Sequence, residues 1–325
     1  MGDGFIFSDP PKENGAGRTD LARQLLSSSA KNRVVLIPYI AGGELNDMPE
    51  PRARRFIISF AEFSEQEARQ WPELMKIVEE KVKPERMTLR GNRDADIRRK
   101  YWWRWGRFTP ALYRHASSLS RVLVCANTGL HKAFVFLPSA TAFDQTLIVF
   151  CVEEWSAFTA IQCRVHGVWN AFQGSSLEDR LRYTPSDCFE TYPFPDNWKT
   201  RTSFEAVGKA YYEFRAALMR EYDKGLTEVY NRFHDPDERS NAIGELRRLH
   251  DAMDRAVLDA YGWTDIRPRC EFELEWEDDE AENGRRRRKP WRYRWPEPVR
   301  DEVLARLLAL NAQRAEEERL VLGDR

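Results

Sequence analysis

The order of apolar and polar positions gives the amino-terminal half of the chain a mixed strand and helix character. Apolar runs rich in β-branched and aromatic residues are typical of buried strands. Such runs predict strands at residues 33–40, 54–60, 121–126, 132–138 and 146–152. After the second run, apolar residues recur every three or four positions as far as Val82, and Pro72 restarts this helix. Ser64 and Glu67 have the spacing of a capping box, which places the start of the helix.

Three shorter features accompany these strands. Residues 21–28 form an apolar helical repeat, and Thr19 and Asp20 before it predict its cap. The sequence AGGELN at residues 41–46 predicts a glycine-rich turn. Residues 153–172 return to a helical pattern and predict a longer helix.

The carboxy-terminal part of the chain is almost wholly helical in pattern. Apolar residues at three- and four-residue intervals predict helices at residues 204–222, 226–233, 238–261 and 301–320. Before the last helix, FELEW at 272–276 alternates apolar residues with Glu, and WRYRW at 291–295 alternates aromatic residues with Arg. Joined as a hairpin over 271–295, the two runs would place aromatic rings on one face and opposed Glu and Arg on the other.

These elements predict an α+β fold with two domains. A mixed α/β domain is expected at residues 34–198, and a mainly helical domain with the β-hairpin as an insert is expected at residues 199–325. Residues 1–33 are expected to be a separate amino-terminal segment. A chain of 325 residues is long enough for two cores.

Composition narrows the classes of partner. A formal net charge of −1 provides no global field for a polyanion, so a nucleic-acid surface has to be local. The five cysteines form no C-x-x-C pair, which favours reduced thiols in a cytoplasm. The five histidines are scattered without metal-ligand spacing, so no metal site is expected. No signal peptide and no bilayer-spanning run is apparent, and we expect a cytoplasmic protein without a membrane partner.

The stretch FIFSDPPK at residues 5–12 is similar to the active-site loop of amino-group DNA methyltransferases. In that loop an aromatic residue after the prolines stacks on a flipped base, whereas this chain has Lys12 at that position. Only eight residues precede Asp9, too few for the strand, turn and helix that bind S-adenosylmethionine. We therefore interpret the stretch as a surface turn, and we expect neither catalytic nor cofactor-binding residues in this chain.

A basic and aromatic segment is the first candidate for nucleic-acid contact. Residues 83–107 contain nine basic and three acidic residues, and four aromatic residues are set among them. Basic side chains neutralise phosphates, and Arg or Asn can make bidentate hydrogen bonds to base edges. The candidates are Arg86, Arg90, Asn92, Arg93, Arg98, Arg99, Lys100, Arg104 and Arg107. The alternative is a solvated charged surface that covers aromatic side chains of the core. In that case Trp102, Trp103 and Trp105 pack in the core, which is the commoner role for tryptophans.

Further basic or polar positions complete the set of candidates for DNA contact. They are Asn127, Thr128, His131 and Lys132 in the turn after the third predicted strand, and Arg180, Arg182 and Tyr183 further along the chain. The run RRRRK at residues 285–289 lies beside a stretch with eight carboxylates, so neutralisation within the chain is expected there. The histidines have no partner at a recognisable spacing, which favours ordinary core or surface positions.

Several segments, in order, resemble one family of enzymes. RYTPSDCFETYPFP at residues 182–195 resembles the segment that closes the target-recognition domain of MmeI-like restriction–modification adenine DNA methyltransferases. IPYIAGGELN at 37–46 resembles the entry to that domain, and residues 54–86 resemble its strand–helix segment, including its closing VKPER. Taken by itself, the proline-rich stretch at 182–198 predicts an extended path, since a residue before proline disfavours the helical conformation.

The resemblance continues into the helical part. GLTEVYNRFHDP at residues 225–236, with residues 246–263 and 304–318, resembles the carboxy-terminal region of related long methylases. Members of the family transfer a methyl group from S-adenosylmethionine to N6 of adenine, using a Rossmann-like core with an Asn-Pro-Pro-aromatic loop. No such core is recognisable here, and residues 1–33 look like its end. The resemblance implies double-stranded DNA as the partner, and S-adenosylmethionine as the cofactor of a methylase core outside this chain.

The interpretation is a sequence-specific recognition module of a bacterial restriction–modification system for defence against phage. The module is expected to be a truncated or split subunit whose methylase core acts in trans. Two alternatives stay open at this point. The first alternative is that the chain is an adenine-specific methyltransferase with a degenerate core. The second alternative is that it is a protein-interaction remnant that no longer binds DNA.

Overall fold

The computed structural model describes residues 3–106, 109–177, 180–274 and 291–323, and the chain forms two compact units. The first unit comprises Met1–Glu44, Arg52–Leu123 and Phe136–Cys151. The second unit comprises Leu45–Pro51, Val124–Val135 and Val152–Arg325. These units reflect spatial compactness, so the domain boundaries expected near residues 34 and 198 stay a prediction.

The described residues form helices and short strands throughout both units. The helices are α1 (Thr19–Ser28), α2 (Gly42–Asp47), α3 (Glu65–Ala68), α4 (Pro72–Lys81), α5 (Lys83–Thr88), α6 (Arg93–Lys100), α7 (Pro110–Ala116), α8 (Trp155–Gln162), α9 (Arg164–Gln173), α10 (Pro185–Cys188), α11 (Thr202–Tyr222), α12 (Leu226–Phe233), α13 (Asn241–Ala260) and α14 (Glu297–Gly323). Single 3-10 turns occur at Asp3–Phe5, Ala30–Val34 and Trp198–Thr200. None of the described helices combines the length and the apolar character needed to cross a bilayer.

The strands are short and form four small sheets among the described residues. They are β1 (Ile6–Phe7), β2 (Leu36–Ile40), β3 (Arg55–Ile58), β4 (Arg121–Ala126), β5 (Thr128–Gly129), β6 (Val135–Pro138), β7 (Ala142–Phe143), β8 (Leu147–Phe150), β9 (Ser175–Leu177), β10 (Arg180–Arg182), β11 (Glu271–Leu274) and β12 (Trp291–Arg294). The sheet orders are β1-β3-β2-β7, β6-β4-β8, β5-β10-β9 and β11-β12. The predicted α+β fold is confirmed. All five predicted strands are present, β4 with the predicted bounds and the other four in a shorter form.

The four-stranded sheet forms the centre of the first unit. Strand β3 pairs antiparallel with β1 and β2, and β2 pairs parallel with β7. Ile57 stands opposite Ile6 in the register, and both side chains are buried. Helix α4 adds Leu74 and Val78 to the same apolar core. Consecutive residues of these strands are buried, such as Ile57 and Ile58, as expected of the continuous apolar runs in the sequence.

Helix α3 begins at the predicted capping box. The Glu67 N–H donates to Ser64 Oγ at 3.2 Å, and the Ser64 N–H donates to Glu67 Oε2 at 2.7 Å. The predicted break also occurs, because α4 restarts with Pro72 in its first turn, where a proline costs no helical hydrogen bond. The prediction of this helix pair from the sequence is confirmed.

The cap of α1 differs from the prediction. Thr19 and Asp20 lie inside the first turn of the helix, and Asp9 supplies the capping carboxylate instead. The Thr19 N–H donates to Asp9 Oδ1 at 3.4 Å, and the Thr19 hydroxyl donates to Asp9 Oδ2. The hydroxyl bond is the main cause that lowers the pKa of Asp9. The Asp-Pro-Pro stretch is exposed, as expected of a surface turn, and its carboxylate serves a helix end.

The glycine-rich turn predicted at residues 41–46 is helix α2 instead. The Ala41 N–H donates to Glu44 Oε2 at 3.0 Å, and the Gly42 N–H donates to Thr146 Oγ1 at 2.9 Å. Arg55 in turn forms an ion pair with Glu44. One amide at the start of the helix thus has a local acceptor in Glu44, and the next has a distant acceptor in Thr146, which the local sequence pattern does not show.

The proline-rich stretch at residues 182–198 is less extended than predicted. Thr184 is extended, but Pro185 starts the single helical turn α10, where a proline is tolerated because the first amides need no partner. The stretch ends in the 3-10 turn Trp198–Thr200. A proline therefore restricts the residue before it, as expected, without excluding a helical turn after it.

Helices α8, α9, α11 and α13 form the centre of the second unit. Their apolar faces bury Trp169, Phe204 and Val257, and α14 adds Leu307 to the same core. Helices α11 and α8 approach each other closely at Gly208. A Cβ atom at Gly208 would lie 2.2 Å from Thr159 Oγ1, so only glycine permits this spacing.

The predicted hairpin is confirmed in the second unit. Strands β11 and β12 pair antiparallel, with Phe272 opposite Tyr293 and their ring centroids 4.9 Å apart. On the other face, Arg294 Nε donates to Glu273 Oε2 at 2.7 Å. The acidic stretch and the RRRRK run between the two strands fall at residues 275–290, outside the described residues.

Two glycine substitutions test the packing of the second unit. We expect Gly208→Ala to lower the free energy of unfolding by about 1–3 kcal/mol, because the added methyl group overlaps Thr159 of α8. Gly244→Ala in α13 is the matched control, since a Cβ there meets nothing within 4 Å. The control should raise the free energy of unfolding by about 0.5–1 kcal/mol. Urea unfolding measures both, and equal effects of the two variants would contradict the close approach.

Candidate nucleic-acid interface

The basic and aromatic segment folds into helices α5 and α6 and a closing turn. Asn92 caps α6, since its Oδ1 accepts from the Ala95 N–H at 2.9 Å. Asp94 and Asp96 lie in the first turn of α6, and its last turn carries Arg98, Arg99 and Lys100. This order of charges complements the helix dipole. Part of the charge pattern that predicts DNA contact is therefore also what a short helix needs.

Arg86 points into the segment and not toward solvent. Its side chain is buried, and its Nη1 donates to the carbonyls of Tyr101 at 3.3 Å, Trp102 at 3.1 Å and Arg104 at 2.6 Å. Burial, with a smaller effect of the nearby Arg98 charge, lowers the pKa of Arg86 to about 10. Its hydrogen bonds hold the closing turn against α5. We therefore assign Arg86 a structural role and remove it from the predicted DNA contacts.

Three further basic side chains of the segment are half-buried and have partners within the chain. Arg98 forms an ion pair with Asp94 at 2.9 Å, and Arg99 forms one with Asp96. Arg104 donates to two backbone carbonyls in the loop before α3. A contact with DNA would have to compete with these partners, which makes the three side chains weaker candidates than the sequence indicates.

The tryptophans of the segment belong to the core of the first unit. Trp102 and Trp103 are buried, and Trp103 Nε1 donates to the Phe63 carbonyl at 2.9 Å. Trp105 packs edge-on against Tyr39 with ring centroids 6.0 Å apart. The interpretation of these rings as core residues is confirmed, and they are not platforms for bases.

One face of α6 remains exposed. Arg93, Ile97 and Lys100 follow one another at spacings of four and three residues, so they lie on the same side of the helix, here called the α6 face. Ile97 is 48% exposed. Within the described residues, Arg93 has no hydrogen bond or ion pair, and Lys100 contacts only the ring of Tyr101. The α6 face therefore offers two free cations and one apolar side chain.

The remaining predicted positions of the segment flank this face. Arg90 is exposed, and its Nη1 donates to the carbonyls of Met87 and Leu89. Asn92 is exposed too, but its side-chain oxygen is occupied by the helix cap. Arg107 lies outside the described residues.

The second predicted surface lies in the second unit, where distant parts of the chain meet. Thr128 of β5 stands opposite Arg182 of β10 in an antiparallel pair. Next to this pair, the Tyr183 N–H donates to the Asn127 carbonyl at 2.9 Å, and Lys132 Nζ donates to the same carbonyl at 2.9 Å. The structure thus brings together two groups of predicted residues that are about fifty positions apart in the sequence.

Most side chains of this second group point inward. Tyr183 is buried, and its hydroxyl lies 3.2 Å from His166 Nε2. Burial lowers the pKa of Lys132, whose ammonium group is occupied by backbone carbonyls. Tyr183 and Lys132 therefore have structural roles. Arg182 is exposed and stays a candidate, and the side chain of Arg180 is not among those described.

His131 belongs to a cluster that the sequence does not indicate. Its ring is nearly parallel to those of His234 and Tyr230, with centroids 5.1 Å and 5.7 Å away. His131 Nε2 lies 3.0 Å from Asn231 Oδ1, which is an acceptor because the amide nitrogen of Asn231 donates to Glu228. His131 therefore carries its proton on Nε2. A separation of about a hundred residues between the two histidines explains why spacing rules miss the cluster.

The histidines of this cluster are neutral at neutral pH. Burial lowers the pKa of His131 to about 4, and burial together with nearby positive charge lowers the pKa of His234 far below its usual value. The Tyr293 N–H donates to His234 Nδ1 at 3.0 Å, so this ring also carries its proton on Nε2. Across the described residues, no group of His, Cys, Asp and Glu side chains is arranged to hold a metal ion.

The comparison with protein families accounts for most of the chain up to α10. Residues 18–196 match the family model of the MmeI target recognition domain, which is more than half of the chain. The chain belongs to the MmeI target recognition domain family. The matched region of this family member includes α6 and the β5–β10 pair, so both predicted surfaces lie within the family domain.

A solved structure supports the fold beyond that region. The structure of MmeI, a type IIL restriction–modification enzyme in complex with DNA, matches with a TM-score of 0.59 and 15% sequence identity. The match covers 97% of this chain and 34% of the MmeI chain. The chain therefore spans about a third of the length of that enzyme. No curated protein matches the chain.

The neutral histidines make the stability of this family member dependent on pH. The unfolded chain binds a proton near pH 6.5, whereas folded His131 binds one only near pH 4. Stability is thus fully present above pH 6.5 and is lost as the pH falls through this window. We expect a loss of up to about 1.4 kcal/mol per pH unit from this residue. Urea unfolding at pH 7, 6 and 5 measures the slope.

A matched pair of variants assigns that slope to the cluster. His131→Gln should flatten the dependence on pH, because the side chain can no longer take up a proton. His115→Gln, at an exposed histidine of α7, should leave the slope unchanged. Equal slopes in the wild type and in His131→Gln would contradict the assignment.

Proposed function

We propose that this chain is the sequence-specific DNA-recognition module of a restriction–modification adenine DNA methyltransferase. The family supports the proposal, because the domain it matches is a target recognition domain. The fold supports it as well, because the MmeI structure of similar fold was solved in complex with DNA. The function is therefore the selection of a site on double-stranded DNA.

The observation that carries the proposal is the α6 face. Arg93 and Lys100 are exposed, and neither forms an ion pair within the described residues. Both can therefore bind phosphate without first breaking an ion pair. Ile97 between them is the apolar side chain that a thymine methyl group contacts well. A short helix of about 12 Å with such a face fits the dimensions of a major groove.

The division of labour on this surface follows from the bonds that each side chain already makes. A side chain with free donors can make bidentate contacts to a guanine edge, which favours Arg93 as a base reader. Lys100 and the nearby Arg90 are better suited to phosphates, where a point charge is sufficient. Arg182, on the second surface, is a further phosphate contact in this proposal.

Methyl transfer belongs to a different part of the system in this proposal. The Asp-Pro-Pro stretch caps α1 through Asp9, and Lys12, at the place of the stacking aromatic, forms an ion pair with Asp3. We assign no S-adenosylmethionine contact to the described residues. A methylase core supplied separately or in trans would bind the cofactor and methylate adenine.

The test of DNA binding is the dependence of affinity on salt. We expect the chain to retard duplex DNA, with affinity falling steeply as salt rises, because counterions are released from phosphates. Replacing Arg93 and Lys100 together by Ala should weaken DNA binding. The slope of log affinity against log salt should become less steep by about two if both side chains bind phosphate. It should become less steep by about one if Arg93 reads a base, and one position of the DNA site should then be relaxed. Fluorescence anisotropy on a random and a target duplex measures both quantities.

The matched control removes the same charge elsewhere. Lys76→Ala with Lys209→Ala changes two lysines of α4 and α11 that do not belong to the α6 face and are 76% and 56% exposed. This double variant should keep the wild-type slope. An unchanged slope in the Arg93 and Lys100 variant would remove the α6 face from the interface. Absence of any salt-dependent retardation by the wild type would favour an interaction protein that does not bind DNA.

Calorimetry with S-adenosylmethionine tests where the methyl transfer resides. We expect no binding heat from this chain alone, and methylation of duplex DNA only after a methylase core is added. A one-to-one binding isotherm with the purified chain would contradict the proposal. That result would instead favour a methyltransferase with a degenerate core, the alternative that the DPPK stretch raises.

A further inference from the structure

The second unit contains a cavity of about 470 Å³ that the proposed function does not use. Its walls come from α9, α12, α13 and β12, together with the turn that follows β5. A volume of this size is in the range of pockets that bind small ligands. All of its lining residues belong to one unit, so the cavity is a feature of that unit alone.

One wall of the cavity is made of flat rings. His131, Tyr230 and His234 lie nearly parallel, with interplanar angles between 18° and 29°. Both histidines are neutral, so their faces carry no charge that would have to be desolvated. A planar heterocycle stacks well on such a wall, and stacking of this kind tolerates any base.

The rest of the lining is rich in cations. Arg292, Arg294 and Arg300 stand on β12 and α14, and Lys132 and Arg164 complete the set. No carboxylate is among the lining residues. Glu273 forms ion pairs with Arg294 and Arg300 but is not among the residues that line the cavity. Arginines of β12 and α14 thus line the same cavity as the rings, and the Tyr293 N–H of β12 donates directly to His234 Nδ1.

Three buried polar atoms of the lining residues have no hydrogen-bond partner among the described residues. They are Nη2 of Arg164, a donor, Oδ1 of Asn170, an acceptor, and Nδ1 of His250. Arg164 is otherwise bound to Asp251 and Asp254, and Asn170 is only 2% exposed. Buried polar groups normally have hydrogen-bond partners, so unpaired polar atoms on residues that line one cavity favour a polar ligand over an apolar one.

We propose that this cavity binds a nucleoside 5′-phosphate unit. The base stacks on the ring wall of His131, Tyr230 and His234, and the phosphate lies among the arginines of β12 and α14. The chemistry is the same for a free mononucleotide and for a nucleotide that is turned out of a DNA strand. The proposal does not rest on duplex recognition by the α6 face, which lies in the first unit.

The test closes the cavity without changing its charges or rings. Gly167 of α9 lines the cavity, and a Cβ built on it meets nothing within 4 Å. Gly167→Leu therefore places a side chain in the mouth while leaving the helix intact. Ala171→Leu, one turn further along α9 and also in the lining, is a second closing variant. Gly244→Leu is the matched control, since it is helical and open but does not line the cavity.

Calorimetry with the four deoxynucleoside 5′-monophosphates and with inorganic phosphate gives the first measurement. The wild type and Gly244→Leu should bind mononucleotides saturably, and both closing variants should bind them at least tenfold more weakly. Inorganic phosphate should bind more weakly than any mononucleotide, because it cannot stack. Equal affinity for phosphate and mononucleotides would overturn the proposal, as would equal affinity of the wild type and both closing variants.

A second measurement distinguishes the two sources of the nucleotide. If the ligand is part of a strand, a duplex with one bulged nucleotide binds the wild type more tightly than a perfect duplex, and the closing variants lose this difference. Binding of the perfect duplex should stay unchanged in the closing variants, which separates this proposal from the function of the α6 face. The proposal is overturned if the wild type does not bind mononucleotides and also binds the bulged duplex no more tightly than the perfect duplex.

Discussion

A buried guanidinium group needs hydrogen-bond acceptors for its N–H groups. Buried arginines that meet this requirement hold loops and helices together in both units of the protein. Arg86 in the first unit and Arg215 in the second are each less than 5% exposed. Arg215 donates to the Phe134 carbonyl at 2.6 Å, to Tyr230 Oη at 3.0 Å and to Gln162 Oε1 at 3.2 Å. Removing either side chain would leave several buried acceptors unpaired, so these arginines fix loops and helices relative to one another within their unit.

The same requirement separates structural charges from those that can bind DNA. Arg86 and Arg93 differ by seven positions in one basic run, yet Arg86 has three carbonyl partners and Arg93 has none among the described residues. A buried guanidinium such as that of Arg86 gains little from a phosphate, because it would have to leave its carbonyl acceptors in the protein interior. The number of basic residues in a run therefore overstates the interface, and the bonds of each residue indicate which of them remain available.

The sequence predicts features that depend on neighbours along the chain. The capping box of Ser64 and Glu67, the helix restart at Pro72 and the core positions of Trp102 and Trp103 follow from local spacing and residue type. The hairpin is predictable as well, because its two strands alternate in a complementary way. Across the two strands, Glu stands opposite Arg and one aromatic ring stands opposite another, as predicted.

Features that depend on distant partners could not be predicted in this way. Asp9 caps α1 across ten residues, and Thr146 accepts from the first turn of α2 across more than a hundred. The inward orientation of the Arg86 side chain also depends on distant partners. Composition shows that a charge is present but not which carbonyls surround it. The ring cluster of His131 and His234 is formed by tertiary packing alone, which is why five scattered histidines give no signal.

The distribution of bonds has a consequence for how such a domain can change its DNA site. Arg93, Ile97 and Lys100 contribute almost nothing to the stability of the first unit, because they are exposed and make few contacts within it. Asn92 and Arg86 beside them hold the helix and its turn in place. Side chains of the α6 face can therefore be exchanged at little cost to folding, while the residues that position them cannot. If the proposed interface is correct, specificity can vary on this short helix independently of the fold that supports it.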